Sequence, residues 1–256
     1  MKKILSVFAF AAAVLAAVPS CTKDENKGDD NSIITPGGNE GGENGGTITE
    51  KPASLSGSDY AVIILDESSL GAIQSKVATN LGPDDTNSFL YIWDGTYDAG
   101  VCSGVNFYGQ AADWTALSVG SVGWSGCGFF IASEPAGLAD WRARVAADPE
   151  SYYLHFALKP GKEGDIHCVS FIWGSTKWVA GIGGAFNDNG TIYNEVKPVG
   201  GAIVANEWNE FEISVADMGI NYNQPLKDGG DNYLTFLSGG ATGTQFNLDA
   251  VFVYKK

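Results

Sequence analysis

From about Leu55 to the C-terminus, apolar residues come in short runs, several of them alternating with polar residues and separated by glycine-rich turns. Runs of this kind cover 60–65, 89–93, 115–119, 128–131, 152–158, 166–173, 178–182, 202–205, 209–215, 233–237 and 245–254. In Phe211-Glu212-Ile213-Ser214-Val215 the apolar positions share one face, the two-residue period of a half-buried strand. In the last run Phe246 and Leu248 alternate with polar neighbours, and the stretch from Ala250 to Tyr254 is then apolar throughout. That pattern predicts a strand that becomes buried on both faces. Two stretches carry helical spacing instead. Leu138, Trp141 and Val145 precede Pro149, and Leu70, Ile73, Val77 and Leu81 precede Gly82-Pro83, which predicts a helix over 70–81. Many short strands with turns between them predict an all-β jelly-roll sandwich with one or two short helices.

The N-terminal segment is built differently. Met1-Lys2-Lys3 is basic and residues 4–18 are apolar, the layout of an export signal and short for a membrane span. Val18-Pro19-Ser20-Cys21 resembles the bacterial lipoprotein signal, which implies a signal peptide over 1–20 and a lipid on Cys21. Thr22-Lys23-Asp24-Glu25 resembles the surface-export signal of Bacteroidetes lipoproteins, which implies an outer-membrane protein facing the exterior and held by its lipid alone. Residues 21–52, with Gly37-Gly38-Asn39-Glu40-Gly41-Gly42 inside them, lack the apolar residues needed to bury surface and are expected to form a flexible tether. The folded domain is expected over 53–256.

Charge narrows the range of ligands. The net charge is −15, with 15 Lys and Arg against 30 Asp and Glu. Nucleic-acid binding needs clustered basic charge, so it is excluded as a leading function. An acidic surface suits neutral sugars better than anionic ligands. With two histidines, no G-x-S-x-G and no H-E-x-x-H, the chain offers few parts for nucleophilic or metal-assisted hydrolysis. Cys102, Cys127 and Cys168 remain beside Cys21. Cys102 and Cys127 have the choice of bridging each other or staying as buried thiols.

Aromatic residues in polar loops carry the candidate chemistry. Sugar rings present flat C–H faces that pack on Trp and Tyr, while their hydroxyls bond to Asp and Asn at the ring edge. Trp93-Asp94-Gly95-Thr96-Tyr97 ends a strand, so Trp93, Asp94 and Tyr97 are candidates. Trp124 lies in a glycine-rich stretch, and Trp178 follows a hairpin-like segment that starts at Trp173. Asn187 and Tyr193 flank an amide-rich turn. Glu210 and Glu212, two apart on a strand, are the carboxylate pair that a glycan-cleaving enzyme would use.

Trp208-Asn209-Glu210-Phe211-Glu212-Ile213-Ser214-Val215 and the closing Phe246–Tyr254 stretch resemble the galactose-binding-like jelly rolls found among carbohydrate-binding modules. The resemblance covers about 152–254. It implies non-catalytic capture of a polysaccharide or oligosaccharide. For a Bacteroidetes surface lipoprotein it further implies SusC/SusD-like uptake partners. It places Asp249 where some such modules hold a structural Ca²⁺; no other cofactor is expected. A glycoside hydrolase or lyase on the same fold, and a protein-binding adhesin, are the alternatives.

Overall fold

The computed structural model describes residues 53–256 apart from 85, 93–95, 101, 112–113, 121–123, 228–229 and 240–241. The expected signal peptide (1–20), Cys21 and the expected tether therefore lie outside the described residues, as do Trp93 and Asp94. Strands are numbered in chain order. Among the described residues seven of them form one sheet: β1 (Ser58–Ile64), β2 (Val77–Asn80), β4 (Tyr97–Ala99), β5 (Thr115–Val119), β7 (Tyr152–Pro160), β13 (Asn209–Ser214) and β15 (Gln245–Lys255). Six form the other: β3 (Ser88–Ile92), β6 (Trp124–Ile131), β8 (His167–Trp173), β9 (Thr176–Ile182), β12 (Glu195–Val196) and β14 (Asp231–Gly239). A small hairpin, β10 (Phe186–Asp188) and β11 (Thr191–Tyr193), follows β9. The chain crosses between the sheets at β2–β3, β3–β4, β5–β6, β6–β7, β7–β8, β12–β13, β13–β14 and β14–β15, which makes a jelly-roll sandwich.

The inward faces meet in one large core. Phe156 stacks on Phe211 within the seven-stranded sheet and meets Phe236 of the other, which lies 5.4 Å from Phe246 across the gap. β15 is the axis of its sheet, pairing with β7, β1 and β5, and it is buried along nearly its whole length. This is the two-sided burial that its apolar end predicts. A second buried cluster on the outer side of that sheet explains it: Tyr60, Val62, Ile73, Ala157, Phe252 and Tyr254, covered by Leu65, Leu70, Phe107, Tyr108 and Trp208.

The helix α2 (Leu138–Ala147) forms where the spacing places it and buries Leu138, Trp141 and Val145. The helix expected over 70–81 is a correction. Helix α1 (Glu67–Ile73), capped by the Asp66 side chain on Ser69 N–H, ends early, and Val77–Asn80 is β2, parallel to β1. Val77 and Leu81 fit a helical period, but the edge of β1 offers their backbone a ladder and so overrides it. Residues 202–205 lie in a loop, held by Asn209, whose side chain bonds Val204 N–H and carbonyl. A further helical turn, α3 (Val215–Met218), follows β13.

Asp59 joins three elements. Its backbone is left-handed (φ 53°), which Asp and Asn tolerate better than other residues. Its carboxylate accepts a forked pair of bonds from Arg144 on α2, at 2.9 and 2.6 Å, and a bond from the Tyr152 hydroxyl on β7. Its carbonyl accepts the Trp141 indole N–H at 3.1 Å. Burial raises the Asp59 pKa, but the Arg144 and Tyr152 bonds outweigh it and hold the group below its usual value. Asp59 therefore stabilises the fold at neutral pH, and the contribution fades as pH falls below about 3.9. Asp59→Asn keeps the backbone preference and removes the charge. We expect it to lower stability by about 2 kcal/mol at pH 7, read from the urea midpoint, with the difference from wild type shrinking in acid.

Candidate functional site

The two outer faces of the sandwich differ. The seven-stranded sheet is covered by the second cluster. On the six-stranded sheet Val169, Phe171, Phe129, Cys127, Leu234 and Phe236 point inward to the core, so their neighbours in sequence point out, except Tyr233, which joins the core at an irregularity of β14. The outward set includes Phe89, Tyr91, Phe130, Ile172, Val179 and Leu237, all partly exposed and members of neither cluster.

Strand pairing lines these residues up across the sheet. Val179 pairs with Ser170, Ser170 with Thr235, Thr235 with Gly128, and Gly128 with Tyr91. The next outward row runs Glu195, Gly181, Cys168, Leu237, Gly126. Five strands in register span four inter-strand gaps, roughly 19 Å. The centre of this face is low and polar. Ser170 and Thr235 are buried and share a hydroxyl hydrogen bond, with Gly128 and Cys168 beside them and Val179, Ile172 and Leu237 at the margins. Phe130 pairs with Phe89 on one flank. The β10–β11 hairpin rises at the β9 end. Gly181 permits it to fold back, since a Cβ there would sit 2.1 Å from the Gly184 carbonyl oxygen. Burial pushes the Cys168 thiol up to about 12, with the Lys177 and Asp188 charges acting in opposite senses on it, so it is no nucleophile at neutral pH.

The sequence candidates fall in different places. Tyr97 is a correction: it lies between the sheets, stacked on Phe246, with its hydroxyl donating to Ser238 Oγ at 2.7 Å. Ser238 in turn meets His167 Nδ1 at 2.7 Å, and burial lowers that imidazole to about 4, so it is neutral. Trp178 also faces inward, opposite Phe171, and packs against the core from the sheet edge. Trp124 opens β6 opposite Gly239, next to the outward rows. Asn187 is exposed and its Oδ1 closes the hairpin turn on Gly190 N–H. Tyr193 is half-buried and stacks on Phe186. Trp93 and Asp94, directly after β3, lie outside the described residues. Tyr91 and Phe89 were missed because their alternation reads equally well for either face of a strand.

Asp249 is fully buried, and its Oδ2 accepts the Phe107 N–H at 2.8 Å, supporting the loop over the covered sheet. Among the described residues no group of three or more His, Cys, Asp or Glu is placed to hold a metal ion. Glu210 and Glu212 lie on that covered sheet too. Glu210 bonds His155, while Glu212 accepts from the Tyr254 hydroxyl and Lys256. Both carboxylates are committed to structural partners, away from the open face. Cys127 is a free buried thiol in the core, so Cys102 and Cys127 do not bridge.

No protein-family model matches the chain, and no curated protein matches it. Among solved structures it is similar to a family 30 carbohydrate-binding module of a cellulosomal cellulase from Clostridium thermocellum. Identity is 13%, coverage 66% of this chain and 91% of that one, and TM-score 0.37. It is also similar to a family 11 module from the same organism (12%, 66% and 88%, TM-score 0.34). A third is SGBP-B from a complex xyloglucan utilization locus in Bacteroides uniformis (11%, 66% and 48%, TM-score 0.36).

Because Tyr97 is a core residue, Tyr97→Phe is expected to cost about 1 kcal/mol in urea unfolding, through the lost bond to Ser238. The same variant should leave ligand affinity unchanged in a binding titration.

Proposed function

We propose that the chain captures glycan non-catalytically on the outer face of the six-stranded sheet. The observation that carries this reading is the registered row Val179–Ser170–Thr235–Gly128–Tyr91, small and polar at its centre and flanked by Phe89 and Phe130. A linear oligosaccharide lying across the strands would place ring faces on Tyr91 and the flanking aromatics. Its hydroxyls would reach Ser170 and Thr235. Asn187 lies at the hairpin end of the same proposed surface, and Trp93 and Asp94, next to Tyr91 in sequence, and Trp124, at the start of β6, are proposed as further ligand contacts. The net charge of −15 favours a neutral chain over a uronate or sulfated one. The commitment of Glu210 and Glu212 to His155, Tyr254 and Lys256 argues against the hydrolase reading.

We further propose that lipid on Cys21 holds the protein on the outer membrane, facing outward. Residues 21–52 would give it reach, and a SusC/SusD-like pair would take the captured glycan onward.

The test is affinity electrophoresis of residues 52–256 against neutral and anionic polysaccharides, with reducing ends assayed in the same samples. Retardation by a neutral polysaccharide without product is expected, and Tyr91→Ala should weaken it about tenfold. Retention that survives both Tyr91→Ala and Phe89→Ala would move the site elsewhere. No retention across the panel would overturn glycan capture, and released reducing ends would establish an enzyme.

A further inference from the structure

The covered sheet contains a buried histidine whose surroundings specify its charge. His155 on β7 has no exposed surface. Its Nδ1 is 2.7 Å from the Ala250 carbonyl oxygen, and its Nε2 is 3.0 Å from Glu210 Oε1. A carbonyl only accepts, so Nδ1 carries a proton. A carboxylate also only accepts, so Nε2 carries one too unless Glu210 is the protonated partner.

The acceptors are not accidental. β15 bulges between Asp249 and Phe252 where it pairs with β7, and Ala250 there is left-handed (φ 51°), an unfavourable conformation for a residue with a side chain. The bulge turns the Ala250 carbonyl out of the ladder, and His155 replaces the missing donor. The imidazole stacks on Phe252, with ring centroids 4.6 Å apart and planes 7° apart, and Phe107 packs 5.6 Å away. Phe107 belongs to the loop that Asp249 holds through the Phe107 N–H, and the adjacent Tyr108 bonds Ser54.

We infer that His155 is a buried imidazolium at neutral pH, and that the His155–Glu210 ion pair pins the β15 bulge and latches the loop 103–110 over it. The charged and titratable groups around the pair come from every element packed on it. Glu210 and Glu212 come from β13, Asp249, Tyr254 and Lys256 from β15 and the residue after it, Tyr60 from β1 and Tyr108 from the loop. The bond from His155 holds the Glu210 carboxyl below its usual range against partial burial, consistent with an ionised partner. Its contribution is therefore present at neutral pH and is lost as pH falls through the lowered Glu210 pKa. The latch thus weakens in acid, as Glu210 takes up its proton.

Ring ¹⁵N spectra of the ¹⁵N-histidine-labelled protein at pH 7 test this directly, since the chain has two histidines. The ring in contact with Phe252 should show both nitrogens protonated, whereas His167 should be neutral. In Glu210→Gln the first ring should become neutral, with its proton on Nδ1, and hydrogen exchange of the Phe107 amide should quicken about tenfold. A single ring proton on His155 in the wild-type protein would overturn the inference, whether or not the variant folds. The same protonation state with and without Glu210 would also overturn it.

Discussion

The fold depends on aromatic packing between the two sheets. Phe236 on one sheet meets both Phe156, which stacks on Phe211, and Phe246 on the other, so the inward faces are held by rings whose burial removes large apolar areas from water. Once those faces are committed, alternation along each strand leaves a second set of side chains pointing away from the core. What becomes of that second set distinguishes the two sheets.

On the seven-stranded sheet the outward set is apolar and buried again. Tyr60, Phe252 and Tyr254 pack on one another beneath α1 and the loop carrying Phe107 and Tyr108. Covering a sheet that already has ladder irregularities leaves polar groups to satisfy. His155, Glu210, Asp249 and Glu212 do this, each bonded to a partner within the layer. Their chemistry is therefore spent on structure. On the six-stranded sheet the outward set is mixed and partly exposed, with Ser170 and Thr235 at the centre and aromatics to one side. An open face of that composition suits a ligand with alternating apolar faces and hydroxyls.

Much of this was legible from the pattern of residues. The two-residue period placed most strands, and the apolar run at the end of β15 implied burial on both sides. Helix α2 followed from Leu138, Trp141 and Val145. The 70–81 stretch did not, because Leu70, Ile73, Val77 and Leu81 satisfy a helical period while the available edge of β1 draws the second half into a strand. The candidate site was less legible. Tyr97 and Trp178 sit beside polar residues in sequence yet face the core, and Tyr91 and Phe89 lie in an ordinary strand yet face outward.

The sequence by itself determined the strand-rich class and the acidic balance, a net charge of −15. These follow from local periodicity and composition, which need no knowledge of distant neighbours. Only the tertiary structure decided which face of each strand is covered, that Glu210 answers to His155, and that five strands align Tyr91 with Ser170 and Thr235. Those depend on pairings between residues far apart in the chain, such as Thr235 with Ser170 and Gly128, and on what packs above each sheet. A period of two says that a strand has two faces; the pairing and packing of the whole chain decide which of them meets water.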